Sequence, residues 1–257
     1  AENKFGIPFE TAQQAYAKAK TLPGIRVTGI HMHIGSQITT LEPFRDAFVR
    51  MAELAPLLRS DGHALQHLDL GGGLGVPYKH TNDIPPHPTE YAAIVREILG
   101  PLGLKYVFEP GRMIAANAGI FVSRVVFSKS GGDRTFTIVD GAMNDLIRPT
   151  LYEAHHDIWA VSESKNEAET SLQDVVGPVC ETGDFLAEKR MLPQFAEGDL
   201  LAVMSAGAYG AVMSSTYNTR PLVPEVMVNG AEYAVIRPRV DVDEVIALDA
   251  LPPWLEA

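Results

Sequence analysis

Two hydrophobic periods alternate over residues 1–115, and only the shorter one continues beyond them. Residues 25–34, IRVTGIHMHI, read as a strand. Residues 42–60 place Phe44, Phe48, Met51, Ala55 and Leu58 on one helical stripe, with Pro56 expected to kink the helix or mark its last turn. A second short strand, LQHLDL, covers 65–70. A second helix is predicted over 89–99, with Thr89 as its N-cap, Tyr91, Ile94, Val95, Ile98 and Leu99 apolar, and Gly100-Pro101 as its stop. The third strand, 104–109, carries the run Tyr106-Val107-Phe108 and reads as buried. The order βαβαβ implies a parallel sheet with right-handed crossovers.

Past residue 116 the helical period is lost. GIFVSRVVFS, RTFTIVD, DLLAVMS, VPEVMV and EYAVIRP are short β-type runs separated by turn residues, the pattern of a mostly antiparallel β domain. The His-, Glu- and Ser-rich stretch 153–170 reads as a surface loop. The fold class is therefore α/β plus β, in two domains, 1–115 and 116–257. At 257 residues and 46% hydrophobic content, the chain has material for a sizeable core. A formal charge of −11 argues against nucleic-acid binding, which depends on clustered cations. One cysteine permits no intrachain disulfide and fits a reducing compartment. With no run of 18 apolar residues and no leader pattern, a cytoplasmic location is expected. The opening Ala1-Glu2-Asn3-Lys4-Phe5-Gly6 reads as the interior of a longer chain.

The unusual residues collect at the C-terminal ends of the three strands: HMHIGSQ (31–37), GGGLG (71–75) and EPGR (109–112). In barrels and open α/β sheets this is the edge where ligands bind. GGGLG departs from G-x-G-x-x-G, because Val76 holds the last glycine's place, and it lacks a P-loop lysine. Three glycines after a strand nevertheless expose backbone N–H groups that can cradle a phosphate. His31 and His33, two apart on a strand, are expected to face one side, a spacing that metal sites use. A metal-dependent barrel hydrolase built on them is the alternative reading. Ser36 adds a hydroxyl near the same edge. In the second domain Arg148 and Tyr152 stand four residues apart, Cys180 is the lone thiol, and Tyr209 sits in a small-residue run, 205–218.

HMHIGSQ, DLGGGLG, EPGR, RPTLY, CETGD and GAYG occur here in one order. In that order and across nearly the whole chain they resemble the diaminopimelate decarboxylases, pyridoxal 5'-phosphate (PLP) enzymes of the alanine-racemase-like barrel class. The resemblance implies decarboxylation of meso-2,6-diaminopimelate to L-lysine and CO₂, the last step of lysine biosynthesis. It implies the C-terminal part of a PLP-binding (β/α)₈ TIM-type barrel, its last three strands, followed by a β-barrel or sandwich-like domain that serves substrate binding and dimerisation. It also implies a homodimer with shared active sites. Glu109 then matches the carboxylate against the cofactor's pyridine nitrogen. Ser36, Gly71, Gly72 and Gly73 match the phosphate binders, with the backbone of Gly111 and Arg112 assisting. His33, in preference to His31, matches the residue against the cofactor ring. Arg112, Arg148 and Tyr152 resemble binders of substrate carboxylate, Glu181 the binder of its ammonium, and Tyr209 a contact to cofactor and substrate. Cys180 resembles the proton donor, in the partner's site. CETGD stands where CESGD is usual, and the family's Schiff-base lysine motif is absent. None of Lys4, Lys18, Lys20, Lys79, Lys105, Lys129, Lys165 and Lys189 is expected at the C-terminal end of a barrel strand; Lys129 is placed in a turn and Lys165 and Lys189 in loop or polar segments. A non-catalytic PLP-binding module is the remaining alternative, and this chain alone is expected to be inactive.

Overall fold

The computed structural model describes residues 5–79 and 84–255, so Lys4 lies outside the described residues. The chain divides into two compact units, Ala1–Ile114 and Ala115–Ala257.

In the first unit, helix α1 (Ala12–Lys20) precedes strand β1 (Gly29–His31), α2 (Glu42–Ser60), β2 (His67–Asp69), α3 (Pro88–Leu99), β3 (Lys105–Val107) and the short α4 (Gly111–Ala115). The strands form a parallel sheet in the order β1-β2-β3, with Ile30, Leu68 and Tyr106 in register. The stripe on α2 is buried as its spacing dictates: Phe44, Phe48, Met51, Leu54, Ala55 and Leu58 pack with Tyr91, Ile94, Val95 and Leu99 of α3. Tyr91 meets Phe44 edge-on with centroids 5.0 Å apart and Phe48 at 5.6 Å, the favoured aromatic geometry. Pro56 stands inside α2, which runs four residues further to Ser60.

Three expectations change here. Strand β1 is shorter than 25–34, although Met32 N–H still donates to Asp69 O at 3.0 Å beyond its end. The cap of α3 is His87 rather than Thr89: Pro88 supplies the first helical φ, so the cap falls one residue before it. His87 Nδ1 accepts from Thr89 N–H at 3.3 Å, and the Glu90 carboxylate accepts from His87 N–H at 2.8 Å. The run Tyr106-Val107-Phe108 is not buried. Strand β3 is paired on one side only, which leaves Val107 42% and Phe108 45% exposed.

The second unit is built on a six-stranded sheet of β4 (Phe121–Ser130), β5 (Thr135–Val139), β6 (Ile158–Ala160), β7 (Thr170–Val176), β8 (Phe185–Pro193) and β9 (Leu200–Val203), in the order β6-β9-β4-β5-β7-β8. All neighbours are antiparallel except β5 and β7. The sheet curls so that its end strands β6 and β8 meet, and the inward residues Val125, Val139, Val175, Leu186, Leu201 and Val203 fill it. Helices α5 (Arg148–Tyr152) and α6 (Glu163–Asn166) interrupt the strands. A separate hairpin, β10 (Glu225–Asn229) and β11 (Glu232–Arg237), is followed by α7 (Val242–Ile246). The segment 153–170 is not a loop. Ile158-Trp159-Ala160 pairs with β9, and the Asn166 side chain bonds both N–H and C=O of Ala160 at 2.8 and 2.9 Å. Strands β7 and β8 carry too many polar residues to stand out by composition. Lys129 lies in β4, not in the turn after it, Lys165 is in α6, and Lys189 is in β8.

Leu68 is fully buried on the central strand, whereas Val107 on the outer strand is half exposed. Leu68→Ala is expected to lower unfolding free energy by about 2–5 kcal/mol, and Val107→Ala by less than about 1 kcal/mol. Urea titration of the chain, read by circular dichroism, checks both; equal losses would contradict the burial pattern.

Candidate functional site

The first unit brings its three clusters together at the C-terminal edge of the sheet. Gly71 N–H donates to Asp69 Oδ1 at 3.0 Å, Glu109 N–H to Gly71 O at 2.8 Å, and Ile38 N–H to Gly73 O at 2.9 Å. The glycines are required by space as well as by conformation. A Cβ at Gly72 would lie 2.2 Å from the carbonyl oxygen of Glu109, and one at Gly73 would lie 2.7 Å from Gly35 O, with φ at +107°. Ser36 Oγ accepts from Arg112 Nε and Nη2 at 3.2 and 3.0 Å, and Arg112 Nη1 donates to the Tyr78 hydroxyl. The guanidinium also lies over the Tyr78 ring at 5.7 Å.

The two histidines do not act as a pair. Strand β1 ends at His31, whose Nε2 lies 3.6 Å from Glu109 Oε2. His33 lies beyond the strand, and its Nδ1 accepts from Gly72 N–H at 3.4 Å. His31, Asp69 and Glu109 bring one ligand atom each within 4.8 Å of one another, so any metal at this edge would engage that trio rather than His31 with His33. Register explains it: His31 and Asp69 are sheet partners, a pairing that spacing along one strand cannot reveal.

The edge fits pyridoxal phosphate at its two ends. The glycine turn and the Ser36 hydroxyl suit a phosphate, and the exposed Glu109 carboxylate suits a protonated ring nitrogen. The structure places no lysine with them by any hydrogen bond or ion pair among the described residues. Lys20 is engaged with the C=O of Asp61, and Lys105 opens β3 at the opposite end of the sheet.

The second unit brings its motifs together by a different device. Asp184, buried at 4% exposure, accepts from Val179 N–H at 2.6 Å and Met143 N–H at 2.7 Å. This holds the turn carrying Cys180 and Glu181 against the segment that leads into α5. Thr150 in α5 donates to Gly183 O of the same turn. Cys180 is exposed, Glu181 Oε1 accepts from Gly183 N–H at 3.2 Å, and the Tyr217 hydroxyl lies 3.5 Å from Glu181 Oε2. Asn144 joins the 205–218 run: its C=O accepts from Ser215 N–H at 2.9 Å and its side-chain amide donates to Ser215 O at 3.1 Å. In that run Tyr209 adopts a left-handed φ of +58°.

Arg148 opens α5 and is buried, while Tyr152 at the other end is 61% exposed. Arg148 Nη1 lies 2.7 Å from Nε2 of His156, and His156 Nδ1 lies 2.8 Å from Met204 O. His156 has no exposed surface. Burial pushes its pKa down to about 4, the Met204 carbonyl opposes this, and the Arg148 cation adds to it. The sequence reading overlooked His156, Asp184, Asp69 and Tyr78. Asp184 and Asp69 stand inside motifs already noted, and His156 in the stretch read as a loop; only burial and partners separate them from their neighbours.

Set beside known proteins, residues 27–207 match the family described as pyridoxal-dependent decarboxylase, C-terminal sheet domain, and the chain belongs to that family. Among its relatives are diaminopimelate decarboxylases. That of Zymomonas mobilis is 47% identical over 99% of this chain and 60% of its own length, and that of Vibrio cholerae is 50% identical over 98% and 60%. The crystal structure of diaminopimelate decarboxylase from Helicobacter pylori complexed with L-lysine superposes with a TM-score of 0.88 at 37% identity, over 96% of this chain and 60% of that one. The chain therefore spans about 60% of the length of the relatives it matches.

His156 has a folded pKa below its ordinary 6.5, so its contribution to stability is complete above pH 6.5 and is lost as pH falls toward 4. The loss should reach about 3 kcal/mol at most. His156→Gln cannot titrate, so the stability gap between wild type and variant is expected to shrink between pH 7 and pH 4 in urea titrations. A gap that does not move with pH would refute the buried neutral imidazole.

Proposed function

We propose that the protein is a PLP-dependent carboxy-lyase that converts meso-2,6-diaminopimelate to L-lysine and CO₂. The observation that carries the proposal is the convergence of the glycine turn, the Ser36–Arg112 contact and the Glu109 carboxylate on one sheet edge. Relatives at about half identity that bear the same name support the substrate.

When bound, PLP supplies an electron sink for the pair left behind as CO₂ departs. Gly72, Gly73, Ser36 and the backbone of Gly111 and Arg112 would hold its phosphate. Glu109, two residues beyond β3, would keep a proton on the pyridine nitrogen, and His33 would face the ring. Arg112, Arg148 and Tyr152 bind substrate carboxylate, for which a guanidinium's forked donors are suited. Glu181 binds the substrate ammonium, Tyr209 lines the substrate, and the exposed thiol of Cys180 delivers the proton that replaces CO₂. In the shared-site homodimer, Cys180 and Glu181 serve the partner's cofactor. No helix of the described residues is long and apolar enough to cross a membrane.

Glu109→Gln in the full-length enzyme is expected to retain PLP, read by its absorbance, while kcat falls on the order of 10²-fold or more. A near-normal kcat would defeat the assignment. This 257-residue chain by itself, incubated with PLP and reduced with borohydride, is expected to show no stoichiometrically modified lysine and to release no lysine from diaminopimelate. Labelling of a single lysine together with turnover would place the cofactor's anchor within this chain.

A further inference from the structure

We propose that His156 is a positioning residue that aims the Arg148 guanidinium at the substrate carboxylate remote from the reacting carbon. The inference rests on the reading of Arg148 as a carboxylate binder. Arg148 begins α5, and His156 follows eight residues later, just ahead of β6. A guanidinium can only donate, so the 2.7 Å contact makes His156 Nε2 a bare acceptor. The ring's hydrogen must then sit on Nδ1, where it donates to Met204 O at 2.8 Å. The backbone beyond β9 thus fixes the tautomer, and the tautomer fixes one arm of the guanidinium. Met204 N–H in turn donates to Asp157 O at 2.8 Å, so the carbonyl that holds the ring is itself held.

The choice of acceptor matters for an anion site. Elsewhere in this unit Arg134 meets the buried Asp174 carboxylate at 2.6 Å, which cancels its charge. A neutral His156 gives Arg148 a hydrogen bond and brings no opposing charge of its own. Histidine would fail in this role if it became protonated, and burial first, then Arg148 on α5, His155 beside it and Arg190 on β8, disfavour a positive charge there, against the Met204 carbonyl. The carboxylate of Asp157 lies 3.4 Å from Arg190 and 2.8 Å from His155.

Two substitutions separate the ring's two contacts in the full-length holoenzyme. His156→Asn keeps an amide donor near Nδ1 and removes the acceptor for Arg148. His156→Gln places a carbonyl oxygen near Nε2. The readout is inhibition by L-lysine, which retains the remote carboxylate, against cadaverine, the same chain without it, together with KM and kcat. His156→Asn is expected to weaken L-lysine and raise KM by about tenfold or more, with cadaverine inhibition and kcat near wild type. His156→Gln is expected to restore the lysine-to-cadaverine ratio. A wild-type ratio in His156→Asn, or equal loss of both inhibitors, would overturn the inference. If His156→Asn does not fold, His156→Gln decides alone: a preserved ratio supports the role and a collapsed one ends it. Arg148→Ala is the control. If it leaves the ratio intact, the reading of Arg148 falls and the inference with it. If it collapses the ratio while His156→Asn does not, only the positioning role falls.

Discussion

The carbonyl of Glu109 occupies the space in which any side chain at position 72 would begin. That single approach fixes how the loop after β2 meets the loop after β3, and the candidate cofactor edge follows from it. Because Gly72 has no Cβ, Glu109 can sit hard against the turn, with its N–H on Gly71 O. Its carboxylate then projects from a backbone anchored on both sides, since Gly111 N–H bonds back to Glu109 O. A carboxylate in the role proposed for Glu109 gains from such anchoring, because a displacement of an ångström would break its hydrogen bond. Any residue larger than glycine at 72 would have to push the two loops apart. The glycine run is thus a packing requirement first.

The second unit meets the same need with buried polar groups. Asp184 is removed from water, and burying a carboxylate is costly unless its oxygens are satisfied. Two backbone N–H groups satisfy it, one on each of two segments, so it acts as a clamp between them. Charge-assisted bonds of this kind are worth about 1.5–3 kcal/mol each and offset the desolvation only when both are made. The arrangement is therefore sensitive to geometry, and it fixes the turn carrying Cys180 and Glu181. Asp145 nearby shows the opposing pull: burial raises its carboxyl pKa, against the Ala142 N–H and the Arg220 cation.

What could be read in advance divides along the same physical line. Helical stripes on α2 and α3 were legible because period and burial coincide, from Phe44 to Leu58 and from Tyr91 to Leu99. The motif positions were legible because glycine, proline and charge at strand ends are seldom dictated by packing alone. Burial of Val107 and Phe108 was misread, since an apolar run looks the same on a covered strand and on an outer one. Strand β6 was missed because three residues carry almost no periodic signal, and its pairing with β9 is made with residues more than forty positions away. His156 escaped for the same reason. Its role is defined by Arg148 and Met204, and Met204 is far off in the chain.

The two units thus place functional groups by opposite means, and the means suit the groups. Glu109 is half exposed, with His31 Nε2 at 3.6 Å, in water that screens the pair, so its aim has to come from backbone shape. Arg148 is buried, where a charge acts with little screening and each contact weighs more. There, aim can come from one side-chain acceptor, provided that the acceptor leaves the charge intact. A carboxylate in the place of His156 would hold Arg148 more tightly and would also neutralise it. A neutral imidazole, fixed in one tautomer by a backbone carbonyl, gives orientation and adds no opposing charge.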